Sequence, residues 1–354
     1  MVAAGGRAVL GQEDFDGLRF AKLSVAATNL EQKPLLPSIT LGEWAVPGHA
    51  STATVVPACK ARMKVSAPEL GAFIEDVVLN EGDELRRAVV LAPGSDVVRI
   101  HGGTLTFREG RLFPGIRNVV GELEEDPFGE YEHTLATYDI DQREVTTAEF
   151  HACHLAGACV STSEKFWETP HPLDRERDLC TTHRVKELRP PVPGREHIAM
   201  NCVVRWEAEE YCRWVGKRLP DVEEWEFAAR SRGDDRLWLE GHKRCELGKP
   251  VEQCPRKAQK EAAAPCTVES PKTSQGLCDM FGNLAELVVT TPRSQWTAAA
   301  GGSYHGNGLP WGHDNISRRR DAVRYGEAQS PDVGFRCART VAGTRANDIG
   351  RGGT

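Results

Sequence analysis

Residues 211–230, YCRWVGKRLPDVEEWEFAAR, contain the end of one amphipathic helix and the beginning of another. The apolar residues of the first helix recur at the spacing of a single helical face: Ala208, Tyr211, Cys212 and Val215. Gly216 marks the end of this helix, because glycine is favoured just beyond a helical C-terminus. Residues 221–224, DVEE, form a capping box that predicts a second helix with Trp225 on its buried face. The stretch therefore predicts two short helices that pack into one core.

The same mixture of short elements and long connections extends through the rest of the C-terminal two thirds of the chain. Residues 97–107, VVRIHGGTLTF, predict a strand, a glycine turn and a second strand. Residues 146–149, TTAE, form another capping box, and a short helix that buries Phe150 is expected after it. Three further short strands are expected, at residues 286–290, 297–304 and 333–341. This pattern predicts a loop-rich α+β domain.

Residues 1–95 carry no chemical motif, and they are interpreted as a small β-rich module or an N-terminal extension. A short strand is expected at residues 88–91. A short helix is expected at residues 67–78, where apolar residues recur at intervals of three or four: Leu70, Phe73, Ile74 and Val77. A poorly ordered leader is the alternative for this region. Residues 342–354 are expected to be a C-terminal tail.

The composition is that of a globular protein with an acidic balance. Hydrophobic residues make up 40% of the 354 positions, which is enough for a substantial core. Lys and Arg total 44 against 51 Asp and Glu, and this net charge of -7 disfavours nucleic acid and anionic lipid as partners. No apolar run approaches the roughly 18 residues that a membrane helix needs. Neither a nucleic-acid partner nor membrane insertion is expected.

The chain contains 11 cysteines, and none of them forms a CxxC pair. This spacing argues against a structural zinc site and favours disulfides, which are typical of extracellular or periplasmic proteins. Residues 1–20 contain no apolar segment of the kind found in a signal peptide. An unusual export route, a signal upstream of the stated start and reduced thiols all remain open.

Five motifs occur in an order that is typical of one family: YDIDQREVTTAEF (138–150), YCRWVGKRLPDVEEWEFAAR (211–230), GLCDMFGNLAELV (276–288), GGSY (301–304) and GFRCA (334–338). Together they resemble the formylglycine-generating enzymes, also called sulfatase-modifying factors. The resemblance spans about residues 97–341. It implies a fold that is related to C-type lectins, has little regular secondary structure and is stabilised by calcium and disulfides.

The active members of this family use copper and oxygen to oxidise a client sulfatase cysteine, found in a CxPxR sequence, to formylglycine. The resemblance places the pocket at Ser303, Tyr304 and His305, and the two copper-binding thiols at positions 306 and 311. This chain has Gly306 and Trp311 there, and no cysteine lies between Cys278 and Cys337. Copper(I) prefers thiolate ligands. Copper binding and formylglycine generation are therefore not expected, and the pocket is interpreted as vestigial.

The resemblance also implies a structural calcium site in residues 279–286, DMFGNLAE. Two side chains and three main-chain carbonyls are the implied ligands: Asp279 and Glu286, then Met280, Gly282 and Leu284. Calcium takes six to eight oxygen ligands and commonly combines carboxylates with carbonyls. The alternative interpretation is a turn that leads into a strand with exposed acidic residues.

A disulfide between Cys212 and Cys337 is also implied by the resemblance. The remaining cysteines of the family region fall into two sets of four: Cys153, Cys159, Cys180 and Cys202, then Cys245, Cys254, Cys266 and Cys278. Four cysteines allow three connectivities, and the sequence does not select among them.

Two functions from different classes remain. The first is a non-catalytic or diverged, calcium-stabilised module that binds a peptide, protein or glycan ligand around residues 303–311. Trp311 supports it, because an exposed aromatic side chain gives a large contact area at low entropic cost. The alternative is an iron- or copper-dependent oxidase of altered chemistry, with His305, His313 and carboxylates as ligands.

Overall fold

Two units make up the chain in a computed structural model, residues 1–92 and residues 93–354, and each has a hydrophobic core of its own. The structure describes the following residues: 19–46, 53–108, 130–159, 180–181, 191–231, 261–267, 272–280, 282–289, 297–301, 303–304 and 331–341.

The first unit is built from strands, in agreement with the predicted β-rich module. Its strands are β1 (Phe20–Thr28), β2 (Ser38–Leu41), β3 (Trp44–Ala45), β4 (Thr54–Pro57), β5 (Lys60–Ser66), β6 (Phe73–Val78) and β7 (Glu84–Val90). Strand β1 pairs with β4 in the antiparallel and with β7 in the parallel sense. Strand β5 lies between β6 and β2, and β2 pairs with β3, all antiparallel. Apolar side chains from both groups of strands, such as Leu23 and Met63, form one core.

The prediction of a helix at residues 67–78 is wrong, because strand β6 occupies the second half of this range. Strand residues normally alternate between a buried and an exposed face. Here Phe73, Ile74 and Glu75 are buried in succession, which hides the two-residue period in the sequence. Glu75 is accommodated in the interior because it accepts hydrogen bonds of 2.7 and 2.9 Å from Arg87. Tertiary packing therefore overrides the apparent helical spacing.

The second unit combines short strands with short helices, which confirms the predicted α+β class. Its elements are β8 (Val97–Ile100), β9 (Gly103–Arg108), β10 (Glu130–Leu135), β11 (Tyr138–Asp141), α1 (Thr147–Leu155), α2 (Arg205–Trp214), α3 (Val222–Ala229), β12 (Ala285–Val289), β13 (Thr297–Ala300), β14 (Val333–Gly334) and β15 (Ala338–Thr340). Strand β11 pairs with β8 and β15, and β9 with β10, all antiparallel. Strand β12 lies between antiparallel β13 and parallel β14. Within the described ranges, no helix is long and apolar enough to cross a membrane.

Both capping boxes predicted from the sequence mark helix starts. At α1 the Glu149 amide donates to the Thr146 hydroxyl, and the Thr146 amide donates to the Glu149 carboxylate at 2.8 Å. At α3 the Asp221 amide donates to Glu224 at 3.0 Å. These bonds satisfy amides that have no partner inside the helix.

Aromatic side chains from separate elements form the centre of the second unit. The ring of Tyr211, from α2, lies 6.0 Å from the ring of Phe150 and 5.6 Å from that of Phe335. All three residues are buried. This contact joins α1 and α2 to the segment that follows β14, and it fixes the position of the GFRCA motif.

Candidate functional site

A buried ion pair between Glu286 and Arg336 joins two of the sequence motifs of the second unit. The Arg336 guanidinium donates from Nε and Nη2 to the two carboxylate oxygens of Glu286, each at 2.6 Å. The indole Nε1 of Trp225 donates to the same carboxylate at 2.7 Å. Strand pairing explains this placement, because Glu286 on β12 lies opposite Gly334 on β14, two residues before Arg336.

The remaining donors of Arg336 bind main-chain carbonyls of two other segments. Nη1 donates to the carbonyls of Asp141 and Gln142 at 3.1 and 3.2 Å, and Nη2 donates to that of Cys278 at 2.8 Å. Burial opposes a charged guanidinium, but the charge and hydrogen bonds of Glu286 outweigh burial and raise the pKa of Arg336. Arg336 thus joins four segments of the unit as a permanent cation.

Ser303 and Tyr304, the first two residues of the predicted pocket, are held by the segment that precedes β14. The Ser303 hydroxyl donates to Oδ2 of Asp332 at 2.8 Å, and both residues are buried. The Tyr304 hydroxyl donates to the carbonyl of Pro331 at 3.2 Å. The amide of Tyr304 donates to the carbonyl of Asn283 at 2.9 Å. The Ser303–Tyr304 segment is therefore hydrogen-bonded to residues 331–332 and also to Asn283.

Asn283 and Leu284, at the end of the loop that begins with Asp279, donate hydrogen bonds to the side chain of Glu144. The amide of Leu284 donates to Oε1 of Glu144 at 3.0 Å, and Nδ2 of Asn283 donates to Oε2 at 2.6 Å. The carboxylate of Asp279 accepts from the amide of Cys266 at 2.6 Å. Asp279 and Asn283 both have positive φ angles, 54° in each case, as expected for residues that tolerate the left-handed conformation.

Glu144 lies in a region of surplus negative charge. It is fully buried, and burial together with the charges of Asp279 and Glu286 raises its pKa well above 4.5. The charge of Arg336 and the hydrogen bond from Asn283 oppose this rise only in part. The structure thus gathers three acidic groups around one guanidinium.

The structure brings together most of the residues that the sequence singled out. Ser303 and Tyr304 lie beside the loop that contains Met280, Gly282 and Leu284, since Gly301 approaches the Met280 carbonyl. Four residues of the predicted site lie outside the described residues: His305, Gly306, Trp311 and His313.

Sequence reasoning missed Glu144, Asp332 and the pairing role of Arg336. The GFRCA motif contains Arg336, but no local spacing links it to Glu286, 50 positions earlier.

Disulfides engage all of the cysteines that the structure describes in the second unit. The pairs are Cys153–Cys159, Cys180–Cys202, Cys212–Cys337 and Cys266–Cys278. The third pair is the one that the family resemblance implies, and the other pairs resolve connectivities that the sequence left open. Cys245 and Cys254 lie outside the described residues, and Cys59, in the first unit, is a free thiol. Disulfides in this number are typical of a protein from an oxidising compartment.

The residues present do not fit a copper site of the family type. Such a site needs two thiolates, whereas the corresponding positions hold glycine and tryptophan. The cysteines described in the same unit are all in disulfides and offer no thiolate. The two positions that the resemblance assigns to copper therefore offer no thiolate ligand.

The two carboxylates among the calcium ligands implied by the resemblance already have hydrogen-bond partners. Both oxygens of Glu286 are bound by Arg336, and a guanidinium in this position repels a divalent cation. Asp279 accepts from a backbone amide, and inward donors of the 279–284 loop point to Glu144. No cluster of three or more His, Cys, Asp or Glu side chains in the described ranges is arranged to hold a metal ion. Glu286 in particular does not fit the implied role.

Comparison with known proteins assigns the chain to a family. Residues 84–341 match the family described as sulfatase-modifying factor enzyme 1-like domains. The chain belongs to the sulfatase-modifying factor family. The match covers the whole second unit up to β15, and it begins 13 residues before the region that the motifs alone indicated, within strand β7.

Two kinds of relative resemble this sulfatase-modifying factor chain. The inactive C-alpha-formylglycine-generating enzyme 2 of Bos taurus is 34% identical over 169 residues, which cover 42% of this chain and 54% of that protein. The formylglycine-generating enzyme of Streptomyces coelicolor is 27% identical over 252 residues, which cover 58% of this chain and 78% of that protein. The chain spans about half the length of the mammalian relatives that it matches.

Among solved structures, PvdO from Pseudomonas aeruginosa aligns with 70% of this chain and 95% of its own length. Its sequence identity is 16% and its TM-score is 0.47.

Proposed function

We propose that this sulfatase-modifying factor chain is a non-catalytic member of its family and acts as a binding module. The observation that carries the proposal is the loss of the thiol pair, with Gly306 and Trp311 at the two copper-binding positions. The disulfides of the second unit support it, since none of the cysteines that the structure describes there is free to replace the missing pair. The similarity to the mammalian proteins named inactive supports the same conclusion.

The binding site that we propose includes residues 303–311, and its ligand is a peptide, the class of substrate that the active enzymes oxidise. Ser303 and Tyr304 are held by Asp332 and the carbonyl of Pro331, so this end of the segment is preorganised. Trp311 adds an aromatic side chain of the type that dominates binding energy at interfaces. The disulfides support an oxidising compartment, extracellular or periplasmic, as the place where the module works.

A direct assay tests the loss of catalysis. The full-length protein is incubated with Cu(I), oxygen and a sulfatase-derived peptide containing CxPxR, and the aldehyde is measured by mass spectrometry. We expect none from the wild type, because the thiolates that bind copper are missing. The double variant Gly306→Cys/Trp311→Cys is the matched control, and its copper uptake reports whether the missing ligands are the cause. Aldehyde formation by the wild type would contradict the proposal.

A binding assay tests the module. Fluorescence anisotropy with a labelled peptide that has serine in place of the reactive cysteine measures affinity without any chemistry. We expect Trp311→Ala to weaken binding about 30-fold, the effect of losing a contact worth about 2 kcal/mol. Trp44→Ala, which removes a partly exposed tryptophan of the first unit, is the control and should leave affinity unchanged. Equal affinities for both variants would exclude the 303–311 segment, and no binding by the wild type would exclude the peptide.

The iron- or copper-dependent oxidase stays an alternative prediction, and the implied calcium site also stays a prediction. Metal analysis of the purified protein after incubation with Fe(II) or Cu(I), followed by dialysis, separates the oxidase from the binding module. Stoichiometric retained iron or copper favours the oxidase, whereas a protein that retains neither favours the binding module.

A further inference from the structure

Two hydrogen-bond donors at the end of the 279–284 loop point to the carboxyl group of Glu144. The Leu284 amide and the Asn283 side chain both point to Glu144, at 3.0 and 2.6 Å. A loop that coordinates a cation does the opposite, because its carbonyl and carboxylate oxygens point inward. The two donors at the end of this loop therefore face an acceptor, and Glu144 supplies that acceptor.

Asn283 has no freedom to reverse its amide. Its Oδ1 accepts from the amide of Ala263 at 2.8 Å, so its Nδ2 must face Glu144. Nδ2 also donates to the carbonyl of Ala263 at 3.3 Å. The Asn283 carbonyl in turn accepts from the amide of Tyr304. A continuous chain of hydrogen bonds thus runs from Glu144 through Asn283 to the Ser303–Tyr304 segment.

We propose that Glu144, and not a calcium ion, holds residues 279–284 in their turn, and that Glu144 thereby positions Tyr304. The proposal depends on the contacts of Glu144, Asn283 and Leu284, and it stands whether or not the chain binds a peptide. It explains how Glu286, a residue implied as a calcium ligand, can be committed to Arg336 while the loop stays ordered. Glu144 is a positioning residue in this scheme, because it acts on Tyr304 through Asn283.

The first test compares the full-length protein in 5 mM CaCl₂ and in EGTA by differential scanning calorimetry. A ligand present at a hundred times its Kd for the native state raises the Tm of a protein this size by about 3–5 °C. We expect the two curves to agree within about 1 °C. The control variant Asp279→Gly removes the side-chain oxygens, and glycine tolerates the φ of 54° at this position. A calcium-dependent rise that disappears in Asp279→Gly overturns the proposal, whereas a rise that persists in this variant arises from calcium bound elsewhere.

The second test exchanges the donor and acceptor between Glu144 and Asn283. Glu144→Gln leaves one acceptor oxygen for two donors, Asn283 Nδ2 and the Leu284 amide, and Asn283→Asp places two acidic groups together. Each single variant should lower the Tm by about 2–4 °C, because a buried group loses its partner. The double variant Glu144→Gln/Asn283→Asp restores a donor–acceptor pair and should recover at least half of the combined loss.

If Glu144 and Asn283 stabilised the protein independently of each other, the losses of the two single variants would add, and the double variant would recover nothing. A double variant that loses as much as the sum of the two single variants overturns the proposal, as does an unchanged Tm in Glu144→Gln. If a single variant fails to fold, the calcium comparison on the wild type decides the question by itself.

Discussion

The guanidinium of Arg336 donates to both carboxylate oxygens of Glu286 at 2.6 Å, and neither side chain is accessible to solvent. Arg336 follows β14 and Glu286 lies in β12, so the pair locks the parallel edge of this small sheet. The Trp225 indole, from α3, completes the coordination of the carboxylate. A helix and two strands thus meet at one buried charge pair, beside the segment that contains Ser303.

Glu286→Gln should strongly destabilise the protein, because it leaves the Arg336 charge buried without a counter-ion. Breaking a buried ion pair by removing one partner costs about 3–5 kcal/mol. Urea unfolding followed by tryptophan fluorescence measures this loss of unfolding free energy. The exposed pair Arg62–Asp76 provides the control, since Asp76→Asn should cost about 1 kcal/mol or less. A similar small loss for both variants would contradict the structural role assigned to the buried pair.

The disulfide between Cys212 and Cys337 should contribute more stability than that between Cys153 and Cys159. The first closes a loop of 125 residues and the second a loop of 6. In the chain-entropy account a loop of about 100 residues gives up to about 4.7 kcal/mol, and a short loop gives roughly half as much. The two double-alanine variants should therefore differ in urea midpoint under non-reducing conditions. The reverse order of midpoints would show that native-state contacts, and not loop length, dominate.

Glu149→Gln should destabilise the protein at neutral pH and have a smaller effect in acid. Burial alone raises the pKa of Glu149, but the hydrogen bonds and charge of Arg143, with bonds from Thr146, outweigh it and lower the pKa below 4.5. Below about pH 4.5 the unfolded chain binds protons at this group before the native state does, so its stabilisation is lost as the pH falls. We expect a loss of about 1–2 kcal/mol at pH 7 from the cap and ion pair.

Unfolding free energies of the wild type and Glu149→Gln at pH 7.0, 5.0 and 3.5 check this prediction. The difference between the two proteins should be largest at pH 7.0 and clearly smaller at pH 3.5. A difference that stays constant over the range would mean that the carboxylate charge contributes nothing.

Gly301→Ala should distort the segment that leads to Ser303. Gly301 has a φ of 76°, and an added Cβ would lie 3.0 Å from the Met280 carbonyl and 3.1 Å from the Trp225 ring. Gly157→Ala is a matched control, because Gly157 has a φ of 68° with nothing near the added Cβ. The control should lose about 1 kcal/mol of stability, and Gly301→Ala about 1–3 kcal/mol more. Equal losses would show that the neighbours of Gly301 shift without cost.

Several features of this protein were predictable because they depend on residues that are close in sequence. The capping boxes at Thr146 and Asp221 require only side chains and amides three positions apart, and both helices begin where the sequence places them. Short strands, few helices and the family motifs gave the α+β class. The replacement of two thiols by Gly306 and Trp311 is a property of the sequence itself, and it supports the proposed loss of catalysis without any coordinates.

Other features were decided only when distant parts of the chain came together. Glu286 could be a metal ligand or half of an ion pair, and the choice depends on Arg336, which lies 50 positions away. Glu144 reaches Leu284 across 140 positions, and Ser303 reaches Asp332 across 29. Sequence spacing predicts a contact only when a helix or strand fixes the geometry between the two residues. Pairing across the fold depends on the positions of whole segments, and packing of the entire core sets those positions.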